Sequence, residues 1–439
     1  MDFFTFGKMV MSIALLEPLI ICVICWPSAR NLFFVHILPF SLLPLLGGVF
    51  YFFDFRMNLL AGADPYLASL LLVLILGATT HAVAFYLGFT LNTPLKSVTL
   101  KLLEKIKRVG IRAPHRLIKF VSILTIVSSV LQLFSYAKMG FAPIFADDPF
   151  AAKFYAGAYA DTYAPVAPFL RFGFQIYVTV APLFLVCFPK SFTKKIGYII
   201  IVTIAAGTIF LSLKRGPIAV PFVDFVLALS VFYKSGKYSP LAMVTYVLVF
   251  ALGSAANGIL LYVLGLTRQL DPEVIFSGVP DISDLLMFWS GFQSRHYDLS
   301  FGRTVLGALI PYRYEWNPSV VTKLAIGASA DAATGGFRLP DAVWGYVAFG
   351  YVGAVLWPAF MGAMAGIQMS LLRKIVYMRD LSFFQFYLMY IVMMGIMGFA
   401  GSLLTLSLDV LTTAFFTCCL IVVLLGRPGG RKALVKALS

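Results

Sequence analysis

Residues 67–89 read LASLLLVLILGATTHAVAFYLGF, a run with no Asp, Glu, Lys or Arg. A helix needs about 20 apolar residues to cross the hydrocarbon core of a bilayer, and this run is long enough. In lipid the backbone is satisfied only by a helix or a closed barrel, and the run is too long for a barrel strand. The stretch therefore predicts a membrane-spanning helix. Comparable runs recur at 9–26, 32–53, 118–136, 167–188, 196–213, 217–233, 241–266, 341–369, 381–401 and 408–426. The fold predicted from them is all-α and integral to the membrane, one polytopic domain over 1–439 with about eleven transmembrane helices.

Composition agrees. The chain is 60% hydrophobic and 12% charged, whereas soluble domains carry about 25% charged residues. A string of soluble domains is thereby excluded. A net charge of +15 in a soluble chain would raise the question of nucleic acid. Here the Lys and Arg residues fall in short connections, the pattern that sets topology, so no nucleic-acid partner is expected. Attraction to anionic headgroups follows as a secondary effect. All five cysteines, Cys22, Cys25, Cys187, Cys418 and Cys419, lie in apolar runs. They read as small apolar residues, not a disulfide framework, and Cys22-x-x-Cys25 has no partner pair or nearby His. The first apolar run is followed by no small-x-small cleavage site.

Orientation follows from the cations. The segment 92–117 holds Lys96, Lys101, Lys105, Lys107, Arg108, Arg112 and Arg116 against Glu104 alone, and 98–109 suits a basic helix on the membrane surface. Lys190, Lys194 and Lys195, then Lys234 and Lys237, then Arg373, Lys374 and Arg379, and finally the tail with Arg427, Arg431, Lys432 and Lys436 mark further inner segments. The positive-inside rule then puts the N-terminus outside and the C-terminus inside.

Two long loops face outward in that arrangement, 137–168 and the larger 267–340. Long loops without structure of their own are uncommon in compact domains, and loops held by a rigid scaffold carry function. Within the larger one, Asp281–Ser300 has a helical rhythm, with Ile282, Leu285, Leu286, Trp289 and Phe292 on one face. The expectation is an interfacial helix with its Trp at headgroup level.

Two constellations offer chemistry. The turn Ser212-Leu213-Lys214-Arg215-Gly216-Pro217 puts two cations at the outer side, against the positive-inside pattern. Charge near membrane depth is costly and is kept where it serves a purpose. Pro217 suits the first position of the next helix, whose N-terminus favours anions. Lys214 and Arg215 therefore read as an anion site that suits phosphate. In the large loop, Arg295, Arg303, Arg313, Lys323 and Arg338 are interleaved with Tyr297, Tyr312, Tyr314 and Trp316. Arg grips phosphate bidentately, and aromatics mixed with charge suit sugar rings. Candidate bases there are His296, Asp298, Glu315 and Asp331. No metal-ligand spacing and no nucleotide-binding signature is present, so neither a metal nor another cofactor is expected.

Several of these stretches resemble the O-antigen and oligosaccharide repeat-unit polymerases of bacterial envelopes. Met139-Gly140-Phe141-Ala142-Pro143-Ile144-Phe145 is similar to the opening of an outer loop in that family, where an Arg often follows; here Lys153 stands instead. Leu211–Gly216 resembles its Ser-x-x-Arg turn between central helices. Arg303–Pro311 (RTVLGALIP) resembles the apolar-Ile-Pro element of its large loop. Thr334-Gly335-Gly336, then Asp341, then Phe349-Gly350-Tyr351-Val352-Gly353 resembles its Gly-rich turn, acidic residue and Phe-Gly-x-x-Gly helix, with Asp where the family usually has Glu.

The resemblance spans roughly 137–370, with the motifs in order. It implies a GT-C-like, metal-independent glycosyltransferase of the bacterial inner membrane, acting at the periplasmic face. Its substrates would be undecaprenyl-diphosphate-linked oligosaccharides, polymerised into O-antigen or related polysaccharide. Chain-length regulator and flippase proteins are the implied partners. Arg215 becomes the lead diphosphate contact, with His296, Asp298 and Glu315 as catalytic candidates. Lys214, Arg295, Arg303, Tyr312, Arg313, Arg338 and Asp341 become substrate-binding candidates. A ligase that moves finished glycan to a lipid A core shares this chemistry. A transporter of lipid-linked sugars predicts repeated halves and deep charges; Asp224 and Asp409 are the in-span acids.

Overall fold

The computed structural model describes residues 64–109, 114–155, 157–184, 186–189, 191–214, 280–309, 314–330, 336–337, 339–378 and 380–426, and single positions at 217, 221, 225, 228, 229 and 232. The expected spans at 9–26, 32–53 and 241–266, most of 217–233, and the basic tail lie outside the described residues.

Every described element is helical. In chain order they are α1 (Leu67–Thr90), α2 (Pro94–Val109), α3 (Pro114–Met139), α4 (Pro149–Phe154), α5 (Tyr159–Tyr163), α6 (Ala167–Val180), α7 (Phe192–Leu211), α8 (Pro280–Ser294), α9 (Arg303–Gly307), α10 (Pro318–Ala325), α11 (Asp341–Val376), α12 (Phe383–Gly401) and α13 (Leu408–Leu425). Among the described residues, six segments are long and apolar enough to cross a membrane, those built on α1, α3, α7, α11, α12 and α13. The expected run 167–188 is shorter as a helix. α6 gives way to a 3-10 turn at Ala181–Leu183 that contains Pro182, a residue with no N–H to continue the ladder.

One end of the bundle collects the basic connections. Lys96 Nζ donates to Phe89 O (2.6 Å) and Leu91 O (2.9 Å), capping the last carbonyls of α1. The Arg373 guanidinium lies over the Phe89 ring at 5.7 Å. Gln385 Nε2 donates to Lys107 O at 2.9 Å, and an Arg116 guanidinium nitrogen to Gly426 O at 2.9 Å. Cations at helix C-termini satisfy orphan carbonyls and complement the dipole. The opposite end carries both long loops.

Among the described residues, the closest helix pair is α1 with α11. Pro358 of α11 meets Gly77, Gly362 meets His81, and Gly366 meets Phe85. The two numberings rise together, so the helices run parallel, both from the loop end toward the basic end. At Gly88, Gly362 and Gly366 an added Cβ would strike backbone of the partner helix, the small-residue contact by which membrane helices approach closely.

α11 also contains a reversal. Phe349 (φ −144°, ψ 24°) and Gly350 (φ 63°, ψ −147°) break the helix. The arm 341–348 folds back along 351–376, so that Gly345 and Gly353 each face the other's backbone carbonyl. Gly350 supplies the positive φ, which a side chain would disfavour. Because Ala342 meets Gly77, the short arm begins about 15 Å along α1 from its start. The chain leaving the large loop dips into the bundle, turns back, and only then crosses.

The large loop is folded onto this pair. A second core cluster joins Leu67, Leu70, Leu71, Val73 and Leu74 of α1 to Leu285, Leu286, Phe288, Trp289, Phe292, Trp316, Val321, Val343 and Val347. The helix expected within 281–300 is present as α8, and its apolar face packs on protein, not lipid. Trp289 is 1% exposed, and its indole N–H donates to Tyr66 O (3.1 Å) and Ser69 Oγ (3.2 Å).

The reversal predicts where substitution hurts. Gly353→Val forces a side chain into the Gly345 carbonyl and should cost about 1–3 kcal/mol, read as a lower melting temperature of the purified chain in detergent. Gly197→Ala, which meets open space, should leave the melting temperature unchanged or slightly raised.

Candidate functional site

The Lys214 turn is built by its own backbone. Ser212 Oγ donates to Ile209 O (2.6 Å) and accepts from Lys214 N (3.2 Å), and Leu213 takes a left-handed φ of 57°. The Lys214 ammonium lies 4.4 Å from the Phe174 ring centroid on α6 and 5.7 Å from that of Tyr155, the C-cap of α4. A desolvated ammonium over ring faces gains about 2 kcal/mol or more.

Other charges gather around it. Tyr155 stacks on Tyr163 at 3.9 Å, and the Tyr163 hydroxyl accepts from Arg171 Nε at 3.2 Å. Burial holds the Lys214 ammonium down to about 8. The negative charge of Asp409 opposes that fall, and Arg171 and Lys153 add to it. Elements α4, α6 and α13 thus bring Lys153, Arg171 and Asp409 within electrostatic reach of Lys214, in the turn after α7, at the loop end.

Buried polar side chains run below this cluster. Ser128 Oγ donates to Gly173 O (2.7 Å), Gln132 Nε2 to Ser128 Oγ (2.9 Å), Tyr136 to Thr208 O (3.0 Å), and Thr413 Oγ1 to Gln175 Oε1 (3.2 Å). Three buried atoms in this region have no hydrogen-bond partner among the described residues: Gln132 Oε1, the Tyr155 hydroxyl and Asp409 Oδ1. Each such group costs about 1–3 kcal/mol when left unmet, and each calls for an explanation.

The candidates in the large loop form a different group. The Arg303 guanidinium lies 5.7 Å from the Trp316 ring, which meets Tyr297 edge-on at 6.3 Å. Burial raises the Tyr297 hydroxyl above its ordinary range, and the nearby Glu315 charge raises it further. Arg295, His296, Asp298, Arg303 and Glu315 are all exposed. Arg295 packs against Gly327, and His296 sits at a left-handed φ of 49° just past α8. Lys323, 1% exposed, donates to Ala330 O at 3.2 Å and is structural. Asp341 is the first residue of α11, half-buried where the short arm begins. Arg215, Tyr312, Arg313, Asp331 and Arg338 lie outside the described residues.

The structure therefore joins Lys214 to the first core, through Tyr155 and Phe174, and joins Arg303, Tyr297, Trp316 and Glu315 to the second. Sequence reasoning missed the roles of Arg171, Lys153 and Asp409. A signal existed for two of them: Arg171 and Asp409 are charges inside apolar runs, which carry a functional reading by default. Among the described residues no group of three or more His, Cys, Asp and Glu gathers as metal ligands. The chain matches no known family, no curated protein and no solved structure.

The Lys214 environment gives a signed pH effect. Unfolded, the lysine titrates near its ordinary 10.5; folded, at about 8. Between those values the native state holds fewer protons, so stability rises with pH across that window and the full penalty is present below pH 8. Lys214→Met should melt higher than wild type at pH 7, with the gap closing between pH 8 and 10.5 in detergent melting curves.

Proposed function

We propose that this chain is a glycosyltransferase that moves an oligosaccharide from a polyprenyl diphosphate carrier onto a second lipid-linked repeat unit, building a surface polysaccharide at the outer face of a bacterial inner membrane. In this reading the loop end faces outward and the basic end faces the cytosol.

The observation that carries it is the convergence of Lys153, Arg171 and Lys214 at the loop end, with Arg215 next in sequence. A diphosphate is the leaving group of such a transfer. Preorganised cations stabilise the charge that develops on it, and in a water-poor setting they act far more strongly than in bulk water. The aromatic and cationic surface around Arg303, Tyr297 and Trp316 suits the sugars of the incoming unit. His296, Asp298 and Glu315 stand on that exposed surface, where they line the path of the acceptor. Asp341, in the arm that dips into the bundle, suits a sugar hydroxyl nearer the bilayer.

A deletion strain whose surface glycan is run on a gel tests the assignment. A one-unit product marks a polymerase, bare core marks a ligase or flippase, and an unchanged ladder refutes the reading. Complementation with Arg215→Ala should give no polymer although the protein reaches the membrane, and Lys214→Ala should cost at least tenfold in long-chain product.

Orientation has its own test. In a chain stripped of its five cysteines, Phe301→Cys should react with an impermeant maleimide added outside, and Val98→Cys should react only after the membrane is opened. Both positions are well exposed, at 74% and 65%. The reverse pattern would overturn the topology.

A further inference from the structure

The transfer proposed above needs a group to take the proton of the attacking sugar hydroxyl; the exposed candidates of the large loop neighbour residues of the second core cluster, whereas the rings that hold Lys214 belong to the first. We propose that Asp409, at the start of α13, is that proton acceptor, and that Gln132 and Tyr155 bind other hydroxyls of the same sugar. This rests on the transfer reading.

Three observations converge on Asp409. First, its Oδ1 is buried and has no hydrogen-bond partner among the described residues. A buried acceptor without a donor is expensive and is explained where a donor arrives with a ligand; a sugar hydroxyl is such a donor. Second, its charge bears on Lys214, and α13 packs on α6 one turn further along, where Thr413 Oγ1 donates to Gln175 Oε1 at 3.2 Å, so the carboxylate stands at the same end of the same helices as Arg171 and the Lys214 turn. General-base catalysis requires that neighbourhood, because the attacking oxygen and the departing diphosphate lie on the same anomeric carbon. Third, it lies in the first turn of α13, at the end of the bundle where the Lys214 turn also stands. The N-cap hydrogen bond of that helix is made by Ser407 to Val410 N (3.2 Å), which leaves Asp409 uncommitted to capping.

Two more orphans lie in the same region. Gln132 has given its amide N–H to Ser128 and retains an unmet carbonyl oxygen. Tyr155 presents a buried hydroxyl with no partner and offers its ring to Lys214. Polar atoms left open around an ammonium and a carboxylate fit the hydroxyls of a pyranose, each of which both donates and accepts.

The step balances. The Asp409 carboxylate takes the hydroxyl proton. The freed oxygen forms a bond to the anomeric carbon of the donor glycan. The bond from that carbon to the diphosphate oxygen breaks, and its electron pair leaves on the diphosphate, held by Lys153, Arg171 and Lys214.

The alternative role for Asp409 is to serve as a counter-charge for Lys214, and the experiment separates the two. Asp409→Asn and Asp409→Glu are expressed in the deletion strain at external pH 6, 7 and 8, and the full chain is purified in nanodiscs to titrate inorganic pyrophosphate calorimetrically. Asp409→Asn should lose polymer at least ~100-fold at every pH, as loss of a general base does, while it binds pyrophosphate as tightly as wild type or tighter. Asp409→Glu should restore part of the ladder. A normal ladder for Asp409→Asn overturns the proposal. So does a ladder recovered at pH 6, which marks a counter-charge that only keeps Lys214 protonated. Wild-type protein that neither binds pyrophosphate nor restores a ladder sinks the transfer reading itself, and this proposal with it.

Discussion

The contact between α1 and α11 is made by backbone, and the loop end is organised around it. Glycines at 77, 88, 362 and 366 let two parallel helices approach until a Cβ on either would strike the other. In lipid, apolar burial between helices gains little, because the tails are as apolar as leucine, and close packing carries the association. Two consequences follow. The reversal at Phe349–Gly350 leaves helical backbone groups open, which a bilayer does not tolerate unless protein covers them. The covering comes from the same neighbourhood: Ser300 N donates to Val347 O at 2.8 Å, and Gly302 lies against the Phe349 ring. The large loop is thus tied to the hairpin at its most vulnerable turn, and its aromatic core, from Leu67 to Trp316, fills the space that the dipping arm creates.

A second constraint is electrostatic. Lys214 is partly buried, and two more cations bear on it. Like charges raise one another's energy: Arg171 and Lys153 act on Lys214 in that sense, and Asp409 opposes them. The ring faces of Phe174 and Tyr155 reduce that energy without neutralising it. A cluster held in this state is stabilised when an anion enters, and local strain of this kind concentrates at functional sites.

Much of the architecture was legible because membrane helices announce themselves by length and hydropathy. The runs at 67–89, 381–401 and 408–426 match α1, α12 and α13 to within a few residues at each end. Cations in short connections correctly grouped Lys96, Arg373 and Lys374 at one end. The hairpin in α11 was not legible: 341–369 reads as one apolar run, and a reversal written in two dihedrals at Phe349 and Gly350 leaves hydropathy unchanged. Burial of the α8 face was misread for a related reason, since a face of Leu285, Trp289 and Phe292 looks the same whether lipid or protein covers it. At the site, proximity in sequence paired Lys214 with Arg215, but Lys153, Arg171 and Asp409 come from separate elements. Only tertiary packing brings them together.

The two charged groups at the loop end differ in the property that decides what each is worth. Arg295, Arg303 and Glu315 are exposed, so water and salt screen them and each contact gains about 0–1 kcal/mol. Groups of that kind collect and orient a ligand but discriminate weakly between its ground state and transition state. Lys214 and its neighbours are partly buried, and charge that develops beside them meets less screening than at an open surface. Catalysis depends on interactions that strengthen as the bond breaks. Under the transfer reading proposed above, the exposed group would govern capture of the incoming glycan and the partly buried group its transfer, so the carboxylate whose charge bears on Lys214 would matter more to the chemistry than the acids on the open loop.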